Sequence, residues 1–268
     1  MSGSSYIWVE VPVLTSNAQI RMYYSKAEDT APAYTTDGST WNDGFVAVWH
    51  MTNNLSPNAT GNSAYDVNGG DSLGNIVDGA GQIGICRDFI PYSRLQAGDV
   101  DLPVDGFTLS YWVSLDDNQG DRWNIQKLNS YSLMDRYGWW EFNINNWIYG
   151  GWGAWATFAS ENTTWVYVSG TYDGSSIRIY KNGDLKETKP QTGMTQSDDQ
   201  LYIGQNVDGK LDEVRAHAVP RSADWLKADY ENQSAPLTFG AYAVVPEPAA
   251  IGLLTLAGLL AFRRRRAA

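Results

Sequence analysis

The chain of 268 residues carries 19 basic against 30 acidic side chains, a net charge of −11, with 12 tryptophans, 16 tyrosines and a single cysteine. A polyanionic surface repels phosphates, which excludes nucleic acid as a partner class, and one thiol excludes an internal disulfide. The length suits one large all-β domain or two ordinary ones and buries a core without crosslinks, so the lone Cys86 does not argue against export.

The N-terminal stretch MSGSSYIWVEVPVL has neither the basic region nor the apolar core of an export signal. It predicts a strand, followed after Thr15-Ser16-Asn17 by a second, AQIRMYY, in which Ile20, Met22 and Tyr24 alternate with Arg21 and Tyr23. Two strands alone are only marginally stable and are expected to pack on the next domain. Residues 26–42 are polar, with Pro32 and Gly38, and read as a linker.

From Phe45 onward, short apolar-aromatic runs are punctuated by Gly, Asn and Asp, the pattern of a β-sandwich or barrel. In GFTLSYWVSL, Phe107, Leu109, Tyr111 and Val113 alternate with Thr108, Ser110, Trp112 and Ser114, so one buried face is expected. The aromatic stretch from Tyr137 to Trp155 predicts a strand through 139–144 with Trp140, Phe142 and Ile144 in the core. Trp139, Glu141 and Asn143 share the other face, an aromatic plate beside a carboxylate and an amide, which suits stacking and hydrogen bonding to a sugar ring. After the turn at Asn145-Asn146, Trp147, Trp152 and Trp155 lie close to glycines and extend this candidate site. Any one of these rings could equally fill the core; their number on a glycine-rich stretch argues for at least one exposed aromatic site. Asp173-Gly174 marks a turn, and SIRIYKNGDLKET a hairpin with Asn182-Gly183 supplying positive φ. SADWLKADYEN predicts a helix with Ser222 as N-cap and Trp225, Leu226 and Tyr230 on one face.

Catalytic motifs are missing: neither a zinc HExxH nor a GxSxG nucleophile elbow occurs. His50 and His217 sit beside apolar runs and read as packed, and Cys86 as a small buried hydrophobe. Glycoside hydrolysis needs two facing carboxylates. The nearest pair, Asp212-Glu213, is adjacent on a strand and is therefore expected to point to opposite faces. Asp99 and Asp101 alternate correctly but lie in a surface connection. The loops carrying Asp116, Asp117 and Asp121, and Asp66 and Asp71, offer hard oxygen ligands that calcium prefers, in stretches equally ordinary for turns.

The chain ends in VPEPAAIGLLTLAGLLAFRRRR. Residues 249–262 would form an apolar helix of about 21 Å, short of the roughly 30 Å hydrocarbon layer unless the arginines snorkel and the bilayer thins. Pro246 and Pro248 set its start, and Arg263, Arg264, Arg265 and Arg266 would stay on the cytoplasmic side.

Several of these stretches carry family resemblances. FVAVWHM, GAGQIGICRDF, GFTLSYWVSL, WVYVSGTYDGSSIRIYKNG, LYIGQ and GKLDEVRAHAVPRSADWLKADYENQ, in this order, resemble a LamG-like jelly-roll domain of the concanavalin A-like group. WVEVPVLTSNAQIRMYYSKAEDTAP resembles the end of a bacterial domain of unknown function that often precedes such modules. Pro246-Glu247-Pro248, the apolar segment and the arginine cluster resemble a PEP-CTERM sorting signal of Gram-negative bacteria.

The resemblances imply an all-β, concanavalin A-like jelly-roll β-sandwich, with a short N-terminal β-hairpin segment and a C-terminal apolar helix. The implied divisions are 1–44 as a partial N-terminal segment plus linker, 45–235 as the jelly roll, 236–244 as a linker and 245–268 as the sorting tail. They further imply calcium at loop carboxylates, transient anchoring in the inner membrane, exosortase as a processing partner, and delivery to the cell envelope or extracellular matrix. Members of the sorting family carry an N-terminal signal peptide, which leads to the expectation that this chain is a truncated reading frame or a fragment. The function expected is non-catalytic binding of extracellular polysaccharide or surface glycan. A structural, protein-adhesive envelope role and a concanavalin A-like glycosidase are the alternatives.

Overall fold

A computed structural model describes residues 6–11, 15, 19–20, 33, 36–52, 56–67, 76–145 and 154–239. The chain divides into two compact units, 1–234 and 235–268; the described part of the second includes a four-residue helix, Pro236–Phe239. The first unit is a β-sandwich. Its strands are β1 (Phe45–Trp49), β2 (Ile76–Ala80), β3 (Ile85–Phe89), β4 (Leu95–Ala97), β5 (Phe107–Leu115), β6 (Asp121–Lys127) and β7 (Tyr131–Arg136). They continue as β8 (Trp139–Ile144), β9 (Ala156–Ala159), β10 (Val166–Tyr172), β11 (Ser176–Lys181), β12 (Asp184–Pro190), β13 (Leu201–Gln205) and β14 (Gly209–His217), followed by helix α1 (Ala223–Ser234).

One sheet runs β12-β11-β10-β5-β14-β3-β2 with β1 also on β14; the other runs β4-β13-β6-β7-β8-β9. The two named partners on one edge of β14 divide it between them: β3 pairs with Gly209–Leu211 and β1 with Val214–His217. The outer edge of β1 meets the 58–60 segment, where Ala59 donates to the Val48 carbonyl and the Asn58 side chain accepts from the Val48 amide. That pairing covers the ladder at this edge. The core lies between the sheets, with Phe107, Leu109, Tyr111 and Val113 of β5 against Trp140, Phe142 and Ile144 of β8 among others.

Several sequence expectations are met. Asn182 and Gly183 have φ of 54° and 78° between β11 and β12, the mirror-image turn that fits the twist of a hairpin. Ser222 caps α1, its hydroxyl accepting from the Trp225 amide. One expectation fails by being too modest: all nine residues of β5 are buried, not one face of them. The second face lies under α1, where the Trp112 indole donates to the Gln233 carboxamide at 2.8 Å and its ring lies 5.6 Å from Tyr230. The two N-terminal strands do not appear among the described residues, since 6–11 and 19–20 belong to no strand. Instead Trp8 packs side-on, 5.4 Å from Trp41, 5.8 Å from His50 and 4.6 Å from the Arg215 guanidinium. A ring held by stacking and cation–π contact orders that stretch without a ladder partner.

Candidate functional site

β8 presents the predicted alternation. Trp140, Phe142 and Ile144 are buried in the core, while Trp139, Glu141 and Asn143 share the outer face of the six-stranded sheet. Exposure on that outer face falls steeply along the strand, from 51% at Trp139 to 7% at Glu141 and 1% at Asn143. Trp139 is thus the exposed end of this strip, the Trp139 slot, and Glu141 and Asn143 are its covered part. Glu141 is flanked in register by Met134 of β7 and Thr157 of β9, and Asn143 by Ser132.

The closed end of the slot is polar and unsatisfied. Both amide atoms of Asn143, both of Asn124 and the Ser132 hydroxyl are buried without a hydrogen-bond partner among the described residues. Asn124 shares this face with Gln126, which pairs with Ser132; the bulge beyond it sets Trp123 and Asn124 together against Met134 and pairs Arg122 with Asp135. Buried polar groups are almost always bonded, and each exception calls for a partner outside the chain. Asn124 and Ser132 were not singled out from sequence; polar residues at alternate positions of RWNIQK and YSLMDR are the signal that points to them.

At the entrance, the Arg136 Nε lies 3.2 Å from Glu141 Oε2, and its guanidinium sits 4.9 Å from the centre of the Trp155 ring. Burial raises the Glu141 pKa, with Arg136 opposing that shift. Trp139, Arg136, Glu141 and Trp155 thus form one group, an exposed ring beside a fixed cation and a carboxylate. Trp147 and Trp152 lie outside the described residues, as do Asp71, Pro246, Glu247, Pro248, the 249–262 segment and Arg263 to Arg266.

Each described carboxylate of the acidic loops has a partner within the chain. Asp117 binds Arg122 at 2.8 Å and accepts from the Gln119 amide. Asp121 lies 4.0 Å from Arg136, and Asp116 4.0 Å from Lys210. Asp66 accepts from the Asn58 amide at 2.8 Å. Among the described residues no group of three or more His, Cys, Asp or Glu side chains is placed to hold a metal. Asp116, Asp117 and Asp121 thus face a lysine or an arginine of the chain, and Asp66 a backbone amide. Asp99 and Asp101 likewise converge on the buried Lys127.

The Asp212-Glu213 pair overturns the expectation of opposite faces. β14 pairs Asp212 with Trp112 and Arg215 with Ser110, so a bulge intervenes, and Glu213 takes φ of 48°. The bulge turns both carboxylates outward, beneath α1 and the N-terminal Trp8. Asp212 accepts from the amides of Ile83 at 2.8 Å and Glu213 at 2.9 Å. Glu213 meets His50 Nδ1 at 2.8 Å and the Arg215 guanidinium at 2.9 Å, and Arg215 reaches on to Asp229 of α1 at 3.0 Å. Burial, then the charge of Glu213, pushes Asp212 up to about 8. Burial also pushes Glu213 up, but the His50 hydrogen bond and Arg215 outweigh it and hold its carboxyl low. Split acidities of this kind resemble an acid–base pair. Here, however, both side chains are buried and their oxygens are taken up by backbone amides, His50 and Arg215. The pair ties β14 to β1 and α1. Cys86, beside Asp212, has its thiol pushed up to about 12 by burial and by that neighbour, which makes it inert. Among the described residues no helix is long and apolar enough to cross a membrane.

A laminin G-type family model, described as the concanavalin A-like lectin/glucanases superfamily, matches residues 91–227. No curated protein matches the chain. Among solved structures, the binding domain of Paraclostridial mosquitocidal protein 1 is similar at a TM-score of 0.58 and 10% identity, over 71% of this chain and 52% of that one. The binding domain of botulinum neurotoxin DC, solved with SialylT, is similar at 0.56 and 14%, over 72% and 52%. Botulinum neurotoxin type C, whose cell entry depends on interaction with two ganglioside molecules, is similar at 0.54 and 13%, over 73% and 53%. The chain spans about half the length of these structures, and at such identities the likeness is one of fold.

Proposed function

The chain belongs to the concanavalin A-like lectin/glucanase superfamily, and on that premise we propose that it is a non-catalytic glycan-binding module whose ligand enters beside Trp139. One observation carries the reading: an exposed indole lies on a face whose buried amides and hydroxyl, Asn124, Ser132 and Asn143, have no partner among the described residues. A sugar offers what that face needs. Its C–H face stacks on an aromatic ring, and its hydroxyls both donate and accept. The Arg136–Glu141 pair at the entrance fixes orientation. Two of the structurally similar toxin domains are described with a sialylated ligand or with gangliosides, which agrees with this reading but supplies only the fold. Turnover is not part of the proposal, because the Asp212–Glu213 pair is committed to bonds within the sandwich.

The module is, on this proposal, exported and sorted by an exosortase acting on the Pro246-Glu247-Pro248 tail, and works at the envelope or in the extracellular matrix of a Gram-negative bacterium. The sequence of the tail supports this part. Affinity electrophoresis of the full chain through gels cast with neutral, acidic and sialylated polysaccharides, with and without calcium, tests the binding. Retardation by at least one polysaccharide, lost in Trp139→Ala with the fold intact, is expected. Migration unchanged in every gel would leave only a scaffolding role, and release of reducing ends would replace the reading with a hydrolase.

A further inference from the structure

The loops flanking β1 line a wide-mouthed cavity of about 480 Å3, open to solvent, within the size range of small-ligand sites. It lies in the stretch that the sequence presents as a polar linker. Its walls include the rings of Trp41 and Tyr65, with Asp37, Asn42, Thr60 and Asn62 around them. Two turns lock it backbone to backbone. Gly38 and Gly61 have φ of 83° and 80°, and a Cβ on Gly38 would fall 2.2 Å from the Thr60 carbonyl. Trp41 is held from behind by Phe45 at 5.1 Å and by Trp8 and His50 at 5.4 Å each. The walls are thus set before any ligand arrives, which lowers the cost of binding.

The chemistry of the lining narrows the occupant. The Ser39 hydroxyl and amide lower the Asp37 pKa, so its carboxylate stays charged as an acceptor. Asn62 Oδ1 is engaged by the Ala64 amide, which leaves its amide nitrogen to donate. Among the described residues neither Lys nor Arg lines the cavity; Arg215 and Arg221 lie on the rings of Trp41 and Phe45 but are paired with Glu213, Asp229 and Asp43, so an anion would meet the Asp37 carboxylate first. Aromatic faces ringed by acceptors and donors fit a neutral hydroxylated ring. We propose that this cavity is a second carbohydrate site, taking a single neutral sugar ring. It shares with the proposed function only the class of ligand, since none of its residues belongs to the Trp139 slot.

The two sites stand well apart. Tyr65 lies two residues before Val67, which bridges to Ala97 of β4, one border of the six-stranded sheet. Trp139 is on β8, four strand spacings away, roughly 19 Å. A monosaccharide cannot span that distance, whereas a polysaccharide can occupy both sites and gain avidity.

Calorimetric titration of the full chain with D-glucose, D-galactose and D-mannose, and with soluble oligosaccharides of each, tests the inference. The variants are Trp139→Ala, Asp37→Ala and Asn42→Trp, the last filling the cavity from its rim, each checked for an unchanged circular dichroism spectrum. We expect Trp139→Ala to keep monosaccharide binding, and either cavity substitution in that background to weaken it at least about tenfold. If Trp139→Ala abolishes all binding, or the cavity variants bind as the parent does, the second site falls and the Trp139 reading stands. If the cavity variants lose all binding while Trp139→Ala loses none, the cavity stands and the Trp139 slot falls. A parent chain that binds none of these sugars overturns the cavity, and the Trp139 slot is then judged on the acidic and sialylated polysaccharides alone.

Discussion

Replacing Asn143 by leucine should stabilise the protein and disable it at once. The side chain is 1% exposed, and neither of its amide atoms has a partner among the described residues. A buried polar group left unsatisfied costs about 1–3 kcal/mol, and an apolar group of similar shape removes that cost. Ser132 directly opposite keeps its own environment, and Ile144 and Phe142 on the other face are untouched. The expected gain is therefore about 1–3 kcal/mol, or on the order of 2–10 °C in melting temperature for a domain of this size. Urea unfolding followed by tryptophan fluorescence measures the first quantity. Affinity electrophoresis measures the second, where loss of at least about tenfold in affinity is expected if a sugar hydroxyl pairs with this amide. A loss of stability of more than about 1 kcal/mol would mean that the amide is bonded in the native state and would refute the reasoning. A gain in stability with undiminished binding would place the ligand elsewhere.

Arg215→Met removes the cation between Glu213 and Asp229 and should cost about 3–5 kcal/mol, because it strands buried carboxylates. The deficit should shrink in acid: Glu213 is held low in the native state, so the stability it contributes is present at neutral pH and lost as pH falls through its folded pKa. Equilibrium unfolding across a pH series checks both statements, and a deficit below about 1 kcal/mol at neutral pH would mark the pair as no stronger than a surface one. Asp135 has the opposite sign. Burial raises its pKa to about 6, against opposition from Ser160 and Arg122, so its contribution is full below about pH 4 and is lost as pH rises through about 6. Comparison with Asp135→Asn should show the native chain losing roughly 3 kcal/mol relative to the variant over that interval.

Local chemistry that acts within a few residues was readable from the sequence. The Asn182-Gly183 turn, the Ser222 cap and the core set Trp140, Phe142 and Ile144 each arise from a pattern complete in a short stretch. The unreadable features depend on residues distant in the chain. Full burial of β5 requires α1, more than a hundred positions later, to lie across it. The bulges at Trp123–Asn124 and Glu213–Val214 occur without a glycine to announce them, and a bulge shifts every facing argument beyond it by one residue. The arginine and lysine partners of Asp121 and Asp116 were equally unreadable, because they belong to other strands. As for the candidate site, Trp139 and Trp155 were visible as aromatics in a glycine-rich run. The burial of Glu141 and Asn143 was not, since it depends on which strands flank β8.

β14 is the last strand in chain order among the described residues and one of the most central in its sheet, joined to β5, β3 and β1. Its pairing of His217 with Phe45 joins positions separated by most of the module. Such a high contact order delays folding, because the longest loop must close before the sheet is complete. While residues beyond 209 are still on the ribosome, the strands already synthesised lack their seam. A nascent chain of this design therefore keeps its eight-stranded sheet open until residues 209–217 have emerged.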